Sequence, residues 1–307
     1  QSMDKGNADS IYEYIKLIHK GFCKSPKNSE IVKLYDKAIE KGCTKAMFKC
    51  GLNIKKSLKL IKMAADKGCI KAIYYYGTIL GNKEESIEYF KRAAKEGHTE
   101  SMNKYALMLL DNLHIYKKNE TQNKIQKEIV HYMKKAGDKG NIESIYIYGS
   151  FIVEGISGIS PNPEKGIKYI KIAADQGFPD AIGYYGTLLK TGKGVDADIQ
   201  KAENYYKLAI SKGSSLAMNE YAKMLFESAL FLNIKSKDAI VSLFRMAIDK
   251  GNPKAMLNYA ILLQTGQLVQ VNLKKACKYY KMAIDYGCVQ ALVYYASMLE
   301  NGNGVEV

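Results

Sequence analysis

The groups able to do chemistry in this chain are four histidines, six cysteines, two glycine-rich tetrapeptides and an excess of lysine interleaved with 24 tyrosines. His19, His98, His114 and His131 are widely spaced, and neither His-x-x-x-His nor Cys-x-x-Cys occurs. Spacing therefore assembles no zinc ligand set and no histidine base beside a thiol. Cys23, Cys43, Cys50, Cys69, Cys277 and Cys288 are expected as reduced, buried or half-buried thiols. Gly192-Lys-Gly-Val195 and Gly302-Asn-Gly-Val305 could offer backbone N–H groups to a phosphate, but no strand precedes either, and they suit short connectors better. The expectation is no catalytic residue, no metal, no cofactor and no enzymatic activity.

Charge is the next clue. Lys and Arg number 46 against 31 acids, a net +15 at pH 7, which raises the question of an RNA or an anionic membrane surface as partner. Seven of the bases, Lys62, Lys91, Lys134, Lys171, Lys207, Arg245 and Lys281, recur at one position of a repeat described below. Asp66, Asp138, Asp175, Asp249 and Asp285 stand four residues after five of them, so i, i+4 pairing is expected to neutralise much of this ladder on a solvated helix face. Most tyrosines fall in fixed repeat columns, which favours core packing over a base-stacking platform. Nucleic acid is thus a disfavoured partner.

The elements that position these residues come from a repeat. Its anchors are Gly6, Gly42, Gly68, Gly97, Gly140, Gly177, Gly213, Gly251 and Gly287, whose separations run from 26 to 43 residues and centre on 36. Four residues after each anchor stands Ala or Ser, five after a large aliphatic residue, eight after Tyr in all but one copy (Cys50), and twelve after Ile or Leu. Offsets of 4, 5, 8, 9 and 12 trace one face of a helix, here called helix A. A second helical face, at offsets of minus 11, 8, 7, 4 and 3, precedes each anchor and marks helix B, with the glycine placed where a helix C-terminus wants φ > 0. One such pair cannot bury its apolar face alone, so the units must stack as an α-solenoid.

Ala173 to Leu189, with Gly192 to Val195 and Lys201 to Ala209, closely resembles the Sel-one-like repeat, a relative of the tetratricopeptide repeat, and the resemblance runs along nearly the whole chain. It implies an all-α, right-handed superhelical α-solenoid of about nine antiparallel helix pairs that acts as an adaptor or scaffold, with helix A surfaces forming a concave groove for protein partners. The columns six and seven residues after the anchor flank the packed stripe. They supply the candidate partner-binding residues Tyr12, Phe48, Tyr74, Tyr75, Asn103, Lys104, Tyr146, Tyr184, Asn219, Asn258 and Tyr294. Aromatic rings and side-chain amides suit the backbone and carboxylates of an extended segment. Two alternatives from other classes are a basic solenoid on RNA or an anionic membrane, and a regulatory array of an enzyme whose catalytic domain lies elsewhere.

Departures from the period are expected to change the packing locally. The unit from Gly42 must turn tightly near Asn53, and the next keeps only Asn82 and Lys83 as connector. Between Gly97 and Gly140 the polar stretch Asp111 to Ile125 is either a loop or an extension of helix B. Gln1-Ser2-Met3 resembles the remnant of a cleaved expression tag, leaving residues 4–307 as a single array. Helix A of the last unit, Gln290 to Leu299, would expose an apolar face, so the natural protein is expected to continue. No secretion signal or apolar run long enough to span a bilayer is present, and the expected location is cytoplasmic without membrane insertion.

Overall fold

The computed structural model describes residues 8–20, 28–53, 58–81, 83–113, 120–155, 159–232 and 237–302. Among them are seventeen helices and no strand, the all-α repeat architecture expected from the period. The chain divides into two compact units, Gln1–Asn141 and Ile142–Val307. Unit 1 holds α1 (Ala8–His19), α2 (Asn28–Glu40), α3 (Thr44–Asn53), α4 (Leu58–Asp66), α5 (Ile70–Ile79), α6 (Lys83–Lys95), α7 (Thr99–Asp111) and α8 (Glu120–Asp138). Unit 2 holds α9 (Ile142–Glu154), α10 (Pro163–Asp175), α11 (Pro179–Thr191), α12 (Ile199–Ser211), α13 (Ser215–Leu232), α14 (Lys237–Asp249), α15 (Pro253–Thr265), α16 (Leu273–Asp285) and α17 (Gln290–Glu300). Odd-numbered helices are the A helices of the sequence period and even-numbered ones are B. The described chain thus makes eight helix pairs and a ninth helix A.

Each B helix ends on the same device. At the seven anchors from Gly42 to Gly251 and at Gly287, φ lies between 77° and 90°, a left-handed conformation that only glycine adopts without strain. The following residue then donates its backbone N–H to an alanine carbonyl five positions back, as in Cys69 to Ala64, Ser214 to Ala209 and Asn252 to Ala247, at 2.9 to 3.0 Å. The glycine N–H bonds one turn back, completing a Schellman motif. The next A helix starts at once. Ser214 Oγ accepts the N–H of Ala217, Asn252 Oδ1 that of Ala255 and His98 Nδ1 that of Ser101. An A helix therefore follows its B helix through a turn too short to move, which fixes where the A surface points.

Within a pair the two helices are closed by crossed tyrosines. The ring eight residues after one anchor meets the ring eight before the next edge-on: Tyr76 with Tyr89, Tyr105 with Tyr132, Tyr148 with Tyr169, Tyr185 with Tyr205 and Tyr259 with Tyr279, at 4.9 to 5.3 Å. The small residue in the next column lets the helices approach. Gly149 of α9 faces Gly166 of α10 so closely that a Cβ on Gly166 would lie 2.7 Å from the carbonyl oxygen of Gly149. The connectors of full-length units repeat as well. Asn162, Asp198 and Asn272 each donate a backbone N–H to the last turn of the preceding A helix (Ile152, Leu189, Leu263), and each side chain caps the following B helix. Gly192-Lys-Gly-Val195 is such a connector, and Gly194 lies against Pro163 of the previous pair.

The irregular units resolve physically. Glu120 to Ile125 lengthens α8 to nineteen residues, so the second half of the polar insertion is helix, while 114–119 lie outside the described residues. α3 ends at Asn53 and α4 begins at Leu58, with the expected turn at 54–57, and Asn82 of the next unit, also outside them. On α17 the aliphatic column that is buried in every earlier A helix surfaces: Leu292 is 49% exposed, and its neighbour Val293 in the next column 72%, because no described helix packs on that side.

Candidate functional site

The A helices place the six-and-seven-offset columns beside the packed stripe, but the side chains there do different things in the two units. In unit 1, Tyr12 of α1 and Phe48 of α3 line one groove of about 720 Å³ that runs from the middle of α1 across the first half of α3 and the start of α5 to the turn before α7. Its walls add Glu13, Lys16, Lys45, Cys69, Ile70, Lys71, Glu96 and His98. Tyr12 meets Tyr35 edge-on at 6.5 Å with the Lys16 ammonium 5.9 Å over its face, and burial pushes its hydroxyl up from the ordinary value. Phe48 meets Tyr75 of the next A helix edge-on at 5.8 Å. Tyr74 turns instead onto Phe90 and the His98 ring, 4.9 Å away. Asn103 is buried and Lys104 exposed. Tyr12 and Phe48 therefore share a groove, with Tyr75 against Phe48, while Tyr74 and Asn103 serve packing.

His98 joins the groove to the fold. Its Nδ1 accepts from the Ser101 N–H at 3.3 Å as the cap of α7, and Nε2 faces Glu100 at 3.4 Å. Burial holds this imidazole below its ordinary pKa, opposed by Glu100 and reinforced by the ammoniums of Lys71 and Lys139.

In unit 2 the same columns are tied to one another. Tyr146 packs on Phe178 and edge-on against Tyr184 at 6.0 Å, and burial raises its hydroxyl pKa. Tyr184 donates its hydroxyl to Glu154 Oε1 at 2.6 Å, while Lys193 holds Oε2 at 2.7 Å. Those two bonds pull the Glu154 carboxyl below the usual range, and burial, then Glu154, raises Tyr184. Asn219 is 2% exposed: Asn258 Nδ2 donates to its Oδ1 at 2.9 Å and its own Nδ2 donates to Glu220, which also pairs with Lys223. Lys190 pairs with Glu227 at 2.6 Å. Tyr294 stacks on Tyr280 at 5.8 Å, with rings 9° from parallel. Tyrosines and amides of successive A helices are thus linked, but by bonds that stop at one another.

The basic ladder needs correcting. None of the five expected Lys/Arg–Asp pairs forms among the ion pairs of the described residues. Side chains on a helix lean toward its N-terminus, so a base leans away from an acid four residues later. Four of the bases reach the next A helix instead: Lys91 lies over Tyr105, Lys171 over Tyr185, Arg245 over Tyr259 and Lys281 over Tyr295, at 5.7 to 5.9 Å. Arg245 also donates to the Tyr259 hydroxyl at 3.0 Å. A second basic position went unnoticed in the sequence. The residue before an anchor reaches back one repeat, Lys139 Nζ donating to the Gly97 carbonyl at 2.7 Å, where it satisfies the end of α6.

Among the described residues no helix is long and apolar enough to cross a membrane, and no group of three or more His, Cys, Asp or Glu side chains is placed to hold a metal ion. The family model of the Sel1 repeat matches residues 47–69, 72–98, 142–178, 179–214, 253–287 and 289–307, more than half of the chain. No curated protein matches the sequence. Among solved structures, c5321, a protective antigen of uropathogenic Escherichia coli strains displaying an SLR fold, superposes over 98% of this chain and 66% of its own at 21% identity with a TM-score of 0.62. A Sel1 repeat protein from Oxalobacter formigenes superposes over 96% of this chain and 87% of its own at 20% identity with a TM-score of 0.56. At these identities the likeness is one of fold.

Proposed function

The chain belongs to the Sel1 repeat family, whose members are commonly protein-interaction scaffolds and generally non-catalytic, and we propose that it is a non-catalytic scaffold that holds partner peptides or domains on its helix A surfaces. The observation that carries the reading is the groove of unit 1, where Tyr12 and Phe48 from successive A helices line one concavity across three repeats. Its supports are rigid. The B-to-A turns at Gly42, Gly68 and Gly97 share the same Schellman bonds, and Tyr76 and Tyr105 cross Tyr89 and Tyr132 within their pairs, so binding orders the ligand more than the receptor. Four of the seven helix B bases that suggested RNA are engaged over tyrosine rings of the packing and Lys207 pairs with Glu203, which favours a protein partner over a nucleic acid. A displayed random-peptide library selected on the full chain tests this. The scaffold reading expects binders whose capture falls when Tyr75→Ala or Phe48→Ala is introduced in protein that still melts cooperatively. A library that yields no binder, or binders indifferent to every helix A substitution, refutes it.

A further inference from the structure

The third residue after each anchor divides the A helices. Asp9, Glu100, Glu143 and Asp180 put a carboxylate in the first turns of α1, α7, α9 and α11, where the partial positive charge of a helix N-terminus favours it. These acids also serve the fold: Asp180 accepts from the Ser214 hydroxyl at 2.6 Å, and Asp9 lies 3.6 Å from the Cys43 sulfur, each contact joining one repeat to the next. In α3 and α5 the position holds Lys45 and Lys71 instead, and neither helix has any acid in its first turn. A cation there opposes the helix dipole, so it weakens the fold slightly where it stands. Neither lysine has an ion-pair partner among the described residues.

Both lysines line the groove of unit 1. A neighbouring hollow of about 480 Å³ shares Tyr12 and Lys16 with it and adds Lys20 and Lys49. Five lysines therefore border these two adjoining hollows against two carboxylates. One of these, Glu13, is already held by Lys16 at 2.8 Å, which leaves Glu96. Between the charges lie Tyr12, Phe48 and the apolar floor of Cys69 and Ile70. Unit 2 offers a contrast in the same column. Lys254 of α15 lies outside the groove, and its charge adds to those that lower the Glu154 carboxyl.

We infer that the groove of unit 1 selects an extended acidic polypeptide segment carrying apolar side chains between its carboxylates. The inference rests on the scaffold reading and names the ligand class of its first unit. Lys45 and Lys71 receive the carboxylates and Tyr12 and Phe48 the apolar side chains, while Glu96 accepts a backbone N–H that only a polypeptide supplies. A phosphate backbone would set its own negative charge against Glu96.

The test is fluorescence anisotropy on the full chain with a short labelled peptide rich in Glu and interrupted by Leu. The comparisons are the same peptide with Lys for Glu, a random RNA oligonucleotide, and phosphatidylserine vesicles. The acidic peptide should bind, weakening as salt rises, and its Lys counterpart should not. The double variant K45E/K71E should lose at least about tenfold in affinity. Its circular dichroism and melting should be kept, because glutamate suits both helix starts. The control Lys254→Glu changes the same column outside the groove and should leave affinity within about twofold. Equal binding of both peptides, an unchanged affinity in K45E/K71E, or loss of RNA or vesicle binding in that variant without loss of peptide binding would overturn the proposal. If the random library yields binders on the A helices that lack acidic enrichment, this inference fails and the scaffold reading stands. If it yields none, the scaffold reading fails as well.

Discussion

Replacing Gly166 by alanine sets two well-known effects against each other. In the interior of an exposed helix, glycine to alanine stabilises by about 1 kcal/mol, because alanine has less backbone freedom to lose. At Gly166 of α10, however, the added Cβ would stand 2.5 Å from Val153 Cγ2, 2.7 Å from the Gly149 carbonyl oxygen and 2.8 Å from the Val153 nitrogen. Two of those atoms are backbone of α9 and cannot rotate away, so the helices must separate. Overpacking of this kind costs about 1–3 kcal/mol, more where backbone has to move, and a net loss of about 1–2 kcal/mol remains after the propensity gain. For a unit of this size that is a fall in melting temperature of about 2–8 °C. Circular dichroism on heating reads the size, and amide exchange across α9 and α10 reads the place. Gly149→Ala should cost less, because its Cβ would meet Ile170 Cδ1 and Tyr169 Cβ at 2.9 Å and backbone, the Gly166 oxygen, only at 3.1 Å. A Gly166→Ala protein as stable as the parent, or more so, would refute the claim that small residues in this column exist for close helix approach.

Other consequences follow from the titratable groups. The folded protein holds His98 below its ordinary value of 6.5, so as pH falls the unfolded chain takes up a proton first. The stability contributed by this cap is present above that value and lost as pH drops below it through the folded value. In His98→Asn, which caps without titrating, the stability profile of unit 1 between pH 7 and 5 should flatten; an unchanged slope would remove His98 as its cause. The Cys50 thiol is pushed up to about 11 by burial and then by Asp36, so it should stay unalkylated by iodoacetamide at pH 8 while the protein is folded and react on unfolding. Rapid alkylation of Cys50 in native protein would contradict this burial. The Tyr206 hydroxyl, raised to about 12 by burial, donates to Thr187 Oγ1 at 3.1 Å, and Tyr206→Phe should lower stability by about 1 kcal/mol in urea unfolding. No loss would mean that this bond is not formed in solution.

The helices were legible because the signal that marks them is the physical device that ends them. Gly213 and Ala209 form two columns of the repeat and are also the two residues of one Schellman turn, so reading the columns amounted to reading the turn. Burial of the stripe was equally plain, up to α17, where Leu292 obeys the pattern in sequence and lies exposed in space. Side chains that leave their own helix were not legible. Lys171 reads as a partner for Asp175 along the chain, but it reaches Tyr185 on the next helix, a contact that depends on the angle between helices. Within the candidate site, Tyr12 and Phe48 line one groove, whereas Tyr74, in the same column, turns to Phe90. Asn219 looked like a recognition amide, yet its bonds go to Asn258 and Glu220. Lys45 and Lys71 carried a signal in the sequence, namely lysine in the first turn where α1, α7, α9 and α11 have an acid.

The account stands or falls on which surface a partner touches. A photo-crosslinking side chain placed at Tyr75 or Tyr294, both on A helices, or at Ile172 on the exposed side of α10, reads that surface directly in the full chain with a selected peptide bound. Crosslinks from one or both A-helix positions and none from Ile172 are the predicted result. Crosslinks from Ile172 with none from the A helices would place the partner on the B helices and contradict the central claim.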